Sequence, residues 1–319
     1  MLIRSSRQHL HYILLLGTCL SFSNAAFGIQ DTLIPSQRTN LSFNSIYRQN
    51  VNPGFFGNEY GNPIKTSLVA DVNPNVILLN SSKSRFFAVF SPRVKLRLLN
   101  ARKAPVRSPS YMPGLKIYSR INNDTLYPQF LSLAYSHHSN GQDGPTLDPS
   151  GRFNRGGGKF TTNYYTLDYT IGKRNVSSVR SMSQYGSLGI ELHTGLFNRG
   201  YSRELKDQYG FVRVNGSWVY DILTDKRGND KYSDHQRIHA KFTYITDRYE
   251  DYSLGNLRKR LNISAQYNYQ PGFTDNVALA LGVGYRGQDD YNIYFEDSYS
   301  YVSVGVVYGV AFDLRKKRH

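Results

Sequence analysis

The chain has 319 residues, with 39 Lys and Arg against 23 Asp and Glu, a formal charge of +16 and a single cysteine. One cysteine excludes a disulfide framework and a multi-thiolate metal site. After residue 28 no stretch approaches the roughly eighteen consecutive apolar residues of a transmembrane helix, so any membrane-spanning part must be made of strands.

In chain order, residues 1–28 come first. Arg4 and Arg7 precede the apolar run YILLLGTCLSF and the small-residue end SNAAFG, the pattern of a secretory signal peptide. Cys19 falls inside it and follows Thr18 rather than a small residue, which argues against lipidation. Loss of Arg4 and Arg7 takes the formal charge only to about +14. For an exported chain this points to anionic lipid or lipopolysaccharide phosphate as partner, not nucleic acid. Residues 29–65 are expected as an N-terminal arm or first strand, 66–314 as the main domain, and 315–319 as a basic tail of unassigned role.

The class is decided by alternation. In VALALGVGY, Val277, Leu279, Leu281, Val283 and Tyr285 share one face against Ala278, Ala280, Gly282 and Gly284. In LNISAQYNY, Leu261, Ile263, Ala265, Tyr267 and Tyr269 oppose Asn262, Ser264, Gln266 and Asn268. The same reading holds for 188–196, 212–222 and 302–312. A period of two over about nine to thirteen residues, with a small or charged second face, fits tilted strands of a transmembrane antiparallel β-barrel. Its apolar face meets lipid, its second face fills the lumen, and closure removes the edges that lipid would leave unsatisfied. Twelve strands are expected, near 41–48, 66–79, 85–99, 114–122, 128–139, 161–172, 186–198, 209–223, 236–247, 259–270, 275–286 and 300–312.

One strand carries unusual chemistry. In LSLAYSHHS, Leu131, Leu133, Tyr135, His137 and Ser139 share the face that begins apolar, and Ser132, Ala134, Ser136 and His138 share the other. The outward row therefore ends in His137 and Ser139, with Cα atoms about 6.6–6.8 Å apart. Polar groups on such a row are costly unless they function. A histidine beside a serine is the pairing that activates a hydroxyl nucleophile. A third group must fix the imidazole tautomer. Asn163 heads the outward row Asn163, Tyr165, Leu167, Tyr169, Ile171 of the returning strand. The alternative is that His137 and Ser139 are polar residues of the head-group zone. His138 falls on the lumen face and is read as a structural hydrogen-bonder.

The stretch HHSNGQ followed by an asparagine-bearing strand resembles the outer-membrane phospholipase A family. APVRSPSYMPGLKI and GYRGQDDYNIYFEDSYSYVSVGVVYGV resemble its loop-and-strand and its last hairpin, so the likeness covers about residues 84–314. The resemblance implies a twelve-stranded barrel in the bacterial outer membrane that hydrolyses phospholipid acyl esters, with His137 as base, Ser139 as nucleophile and Asn163 as orienting residue; because the family's asparagine precedes an arginine, FNR at 153–155 offers Asn154 as a rival, and Asn163 is preferred for its place on an outward strand row. It further implies an oxyanion site at the Gly141 amide, calcium bound partly by the Gln142 backbone, and a homodimer. Two positions depart from the family pattern: Ala104 stands where the family has a calcium-binding serine, and Gln142 where it has an arginine. Asp143 and Asp148 offer carboxylates to a hard cation, or are solvated loop charges.

Two other functions fit the pattern. A lipid A deacylase is one, although the first glutamate after Ser139 is Glu191, on the lumen face. A non-enzymatic barrel or porin with a decayed site is the other.

Overall fold

The protein is described from a computed structural model over residues 54–63, 65–80, 84–100, 109–124, 126–154, 157–176, 180–194, 202–225, 233–274, 277–288, 297–309 and 311–313. The expected signal peptide, the expected strand near 41–48, Ala104 and the basic tail lie outside these residues.

Among the described residues fourteen strands form one sheet: β1 (Gly54–Tyr60), β2 (Thr66–Val72), β3 (Asn75–Asn80), β4 (Phe86–Leu99), β5 (Ser110–Arg120), β6 (Gln129–Ser139), β7 (Thr161–Val176), β8 (Arg180–His193), β9 (Val212–Asp225), β10 (Ser233–Ile245), β11 (Leu261–Gln270), β12 (Val277–Arg286), β13 (Tyr299–Tyr308) and β14 (Ala311–Asp313). Neighbours from β4 to β13 pair antiparallel in sequence order, and β1 closes the wall between β13 and β2. Both β2 and β3 pair with β4, at opposite ends of it. They are one stave interrupted at Asn73–Pro74, because proline has no N–H for the ladder. Likewise β14 continues β13; past the short β1 it pairs directly with β3 in parallel. Counted as staves, the wall is a closed barrel of twelve.

The expected strands reappear with shifted ends. The first described stave is Gly54–Tyr60, within the stretch read as arm or first strand. β8 begins six residues before the expected 186, since the polar run RSMSQY hides its alternation and is held by pairing to β7 and β9.

Alternation is realised as the sequence dictates. On β12, Leu279 and Leu281 are 61% and 54% exposed while Ala278 and Ala280 are 9% and 4% exposed. Leu131, Leu133, Leu167, Tyr169, Leu188 and Ile190 continue this outward apolar surface on β6 to β8. Inside, small residues make room for large ones: Gly57 pairs with Gly305, and a Cβ on Gly57 would come within 2.8 Å of the Phe55 ring. Much of the remaining interior is ionic. Glu59 accepts from both terminal nitrogens of Arg286, at 2.9 and 3.0 Å, with Arg97 at 3.5 Å and Lys95 at 3.7 Å. Arg93 pairs with Asp71 through two hydrogen bonds, and Lys116 with Asp168 at 2.8 Å. Buried charges require such partners.

The two ends of the barrel differ. At one end β6–β7, β8–β9 and β10–β11 are joined by 140–160, 194–211 and 246–260; at the other, 177–179 suffices between β7 and β8. The first two long connections pack together through Phe153, Phe160, Leu205 and Tyr209, with Leu147 and Phe211 against them. His137 and Ser139 sit at this long-loop end, the last residues of β6.

Candidate active site

Strands β6 and β7 run antiparallel with His137 opposite Asn163, His138 opposite Thr162 and Ser139 opposite Thr161. Parity follows from the alternation along both strands: Leu131 and Leu133 on β6 and Leu167, Tyr169 and Ile171 on β7 are exposed while Ser132 and Thr170 are buried, so His137, Ser139 and Asn163 fall on the outward rows and His138 and Thr162 on the lumen face. Across the strands His137 Nδ1 lies 2.8 Å from Asn163 Oδ1. With the proton on Nδ1, the imidazole donates to the carboxamide oxygen and Nε2 keeps its lone pair. Asn163 itself is 6% exposed. Directly below this pair, on the same rows, the rings of Tyr135 and Tyr165 pack at 5.1 Å. No hydrogen bond joins Ser139 Oγ to the His137 ring among the described residues; such bonds are often long in unliganded sites and tighten around substrate.

Of the two asparagines weighed from the sequence, the structure brings Asn163 to His137. Asn154 serves its own loop: its Nδ2 donates to Pro145 O at 3.0 Å and its N–H to Thr146 O at 2.8 Å.

The chain turns away immediately after Ser139, and Asn140 makes the turn. Its Oδ1 accepts from Phe160 N at 2.9 Å and from Gln142 N at 3.2 Å, while its Nδ2 donates to Gly158 O at 2.8 Å. One side chain thus staples both ends of the 140–160 loop. The next residue, Gly141, has φ +67°, where glycine alone is unstrained, and a Cβ there would lie 3.2 Å from the Tyr111 ring. Tyr111 is the cross-strand partner of Ser139 on β5 and is 42% exposed on the outward face. The sequence reading gave neither Asn140 nor Tyr111 a role. For Asn140 the signal was present, since an asparagine between a strand end and a glycine is a turn-former.

A polar network backs the site from inside. Thr162 Oγ1 is 2.9 Å from His193 Nδ1, His193 Nε2 is 2.7 Å from Glu191 Oε1, and Asn215 Nδ2 donates to Glu191 Oε2 at 3.0 Å. The His193 ring stacks on Tyr164 at 4.9 Å. Glu191 is therefore committed to the lumen and is not a partner of His137. His138 was read as a hydrogen-bonder; its ring instead meets Phe160 edge-on at 4.7 Å, because the loop cap packs apolar surface onto it.

Calcium is implied by the family resemblance, through the Gln142 backbone and the nearby carboxylates of Asp143 and Asp148. Among the described residues no three His, Asp or Glu side chains are grouped to hold a metal. Asp148 Oδ1 is occupied by Ser150 Oγ and the N–H groups of Ser150 and Arg152. The Ser150 hydroxyl and the Arg152 amide hold that carboxyl below its ordinary range. The Gln142 N–H donates to Asn140 Oδ1 at 3.2 Å; a hard cation would take the Gln142 carbonyl oxygen instead. The described residues form no cluster of acidic side chains for the ion, and no step below passes through it.

No protein-family model and no curated protein matches the chain. Among solved structures, outer membrane phospholipase A from Escherichia coli is similar at 12% identity and a TM-score of 0.50, over 86% of this chain and 98% of that one. An asparagine-to-alanine active-site mutant of the same enzyme at pH 6.1 is similar at 12% identity and a TM-score of 0.50, over 82% of this chain and 92% of that one. The NanC porin is similar at 9% identity and a TM-score of 0.39, over 81% and 98%. At these identities the likeness to the phospholipase shows the fold alone: this chain is a closed, twelve-stranded antiparallel β-barrel of the kind found in outer-membrane proteins.

Proposed function

We propose that the chain is a bacterial outer-membrane hydrolase of phospholipid acyl esters, working on its lipid-facing surface. The observation that carries this reading is the 2.8 Å contact between His137 Nδ1 and Asn163 Oδ1 on the outward row that Ser139 ends. A soluble enzyme would sink such a pair in a cleft. Here the surrounding rows are leucine and tyrosine, so a substrate that meets them must be a lipid. The motif resemblance, and the active-site asparagine of the similar phospholipase, agree with a Ser-His-Asn assignment.

Asn163 holds the Nδ1–H tautomer. His137 Nε2 removes the Ser139 proton as Oγ bonds to the ester carbon and the carbonyl π pair moves onto its oxygen. The Gly141 amide, in its left-handed turn two residues on, is the donor assigned to that oxyanion. Collapse of the tetrahedral species breaks the ester C–O bond, and the lysophospholipid alkoxide takes the proton from His137. Water, deprotonated by the same imidazole, then attacks the acyl-serine and releases the fatty acid, and the proton returns to Ser139.

The test is release of fatty acid from phospholipid and, separately, from lipid A, by purified folded protein, with calcium and with chelator. The reading expects phospholipid hydrolysis that disappears in Ser139→Ala. Parent-like release in that variant removes Ser139 from the mechanism, and preference for lipid A moves the protein to the deacylases. Dependence on calcium, with protein that crosslinks as a dimer, would assign the ion to a shared site. A passive channel is the second reading, favoured by two adjoining lumen cavities of 330 and 200 Å³. Steady conductance in planar bilayers with no lipid hydrolysis would decide for it.

A further inference from the structure

The β10–β11 connection holds two leucines in the open. Leu254 and Leu257 are 61% and 59% exposed, yet the segment around them is pinned. Arg260, itself buried, donates to Ile245 O at 3.0 Å, Asp247 O at 2.7 Å, Tyr252 O at 2.6 Å and Ser253 O at 2.8 Å. Asn256 Oδ1 accepts from Lys259 N at 3.2 Å. Two tyrosine hydroxyls fix the direction of the segment. Tyr244 OH donates to Leu254 O, and Tyr285 OH donates to Arg258 O at 2.6 Å. Tyr244 continues the exposed row of Ile238 and Phe242 on β10, and Tyr285 continues that of Leu281 and Val283 on β12. The segment therefore leans over the outside of the wall, not over the lumen mouth.

Its charge has one sign. Residues 252–260 carry Arg258, Lys259 and Arg260 and no Asp or Glu. Arg260 is committed to the backbone, Arg258 is exposed, and Lys259 Nζ stands 5.7 Å from the centre of the Tyr252 ring. The preceding acid, Glu250, is tied by its N–H to Asp207 O in the neighbouring 194–211 connection. Leucines beside cations, at the level where the outward rows end, match the boundary between acyl chains and head groups. A guanidinium fork fits the oxygens of a phosphate. Long connections mark the external end of outer-membrane barrels. On the outer-membrane reading, on which this inference rests, the leaflet at that end presents lipids of the lipid A class, acylated sugars with phosphate monoesters. We propose that Leu254, Leu257, Arg258 and Lys259 dock one such lipid, its acyl chains on the leucines and a phosphate on the two cations. The site is apart from Ser139, since β7, β8 and β9 stand between β6 and β10.

The experiment is thermal unfolding of the full folded chain carrying Ser139→Ala, in detergent micelles doped with increasing lipid A or phosphatidylglycerol. Without the nucleophile the readout is binding alone, and it stands whether or not the parent hydrolyses esters. Lipid A should raise Tm saturably, at a mole fraction well below that at which phosphatidylglycerol acts. Arg258→Gln with Lys259→Gln should weaken the apparent affinity for lipid A by at least about tenfold. Leu254→Ser with Leu257→Ser should weaken it as well. Arg152→Gln with Arg203→Gln, exposed arginines of the other two long connections, should bind as Ser139→Ala alone does. If a segment variant does not fold, dephosphorylated lipid A takes its place and should bind the unaltered segment at least about tenfold more weakly. Equal responses to the two lipids, unchanged affinity in both folded segment variants, an equal loss in the Arg152 and Arg203 control, or undiminished binding of the dephosphorylated lipid would each overturn the proposal. Absence of hydrolysis by the parent, with the binding results as expected, would sink the hydrolase reading and leave this one standing.

Discussion

Asn163→Ala removes the acceptor 2.8 Å from His137 Nδ1 and leaves the imidazole free to turn and to change tautomer. The bond itself contributes about 0.5–1.5 kcal/mol net. In a serine-histidine site whose third member is charged, loss of the right tautomer lowers kcat by about 10⁴, which is an upper limit for a neutral carboxamide. Each 1.36 kcal/mol is tenfold in rate, so the bond alone is worth about 2- to 13-fold; with loss of the tautomer added, the expected fall in kcat is about 10- to 100-fold, with KM little changed because Asn163 is buried and does not meet the acyl chains. Asn163→Asp keeps an acceptor at the same place and should fall less. Asn154→Ala loosens only the loop and should leave kcat near the parent's. The assay is initial rates on phospholipid–detergent micelles, with folding checked by heat-modifiable mobility. An unchanged kcat in Asn163→Ala, or an equal fall in Asn154→Ala, would refute the orienting role.

Thr162→Val deletes the hydroxyl that His193 meets at 2.9 Å in a fully buried position; urea unfolding should show a loss of about 1–3 kcal/mol, and an unchanged midpoint would mean the network adds nothing. Gly141→Ala forces a side chain into φ +67° beside the Tyr111 ring and should lower stability by about 1 kcal/mol or more, together with kcat. Leu281→Arg places a charge on the outward row of β12; if that row faces lipid, folding into bilayers should weaken by about 2–4 kcal/mol at mid-depth, whereas a water-facing row would tolerate it. Asp148 titrates below the usual carboxylate range, so the stability its turn contributes is complete above the ordinary carboxylate pKa and is lost as pH falls through the lowered value. Amide exchange at Gly151, whose N–H donates to Asp148 O, should accelerate, relative to Asp148→Asn, only in that acidic window.

Much of the barrel was legible because lipid and lumen impose opposite demands on successive residues. Leu279 and Ala280 differ in exposure by the full range of the wall, and that contrast is visible as letters. The same parity put His137, Ser139 and Asn163 on one face before their distances were known. What the letters hide depends on contacts between distant segments. The polar run at the start of β8 alternates weakly and is strand only because β7 and β9 flank it. The break at Asn73–Pro74 was marked by proline, yet the apolar residues on both sides masked it. His138 looked like a hydrogen-bonder because its loop partner, Phe160, is twenty-two residues away and reaches it only when the 140–160 loop folds over. The lumen charges could be assigned to a face but not to one another, since Glu59 and Arg286 meet only when the first stave closes on the last ones.

The account rests on Ser139 being a nucleophile that His137 activates at the lipid surface. A long-chain alkyl sulfonyl fluoride, added to the folded protein in micelles and followed by peptide mass spectrometry, reports this directly. The account predicts one adduct, on the peptide carrying Ser139, formed far more slowly in His137→Ala and in Asn163→Ala. Modification elsewhere with Ser139 untouched, or an equal rate without the imidazole, would contradict it.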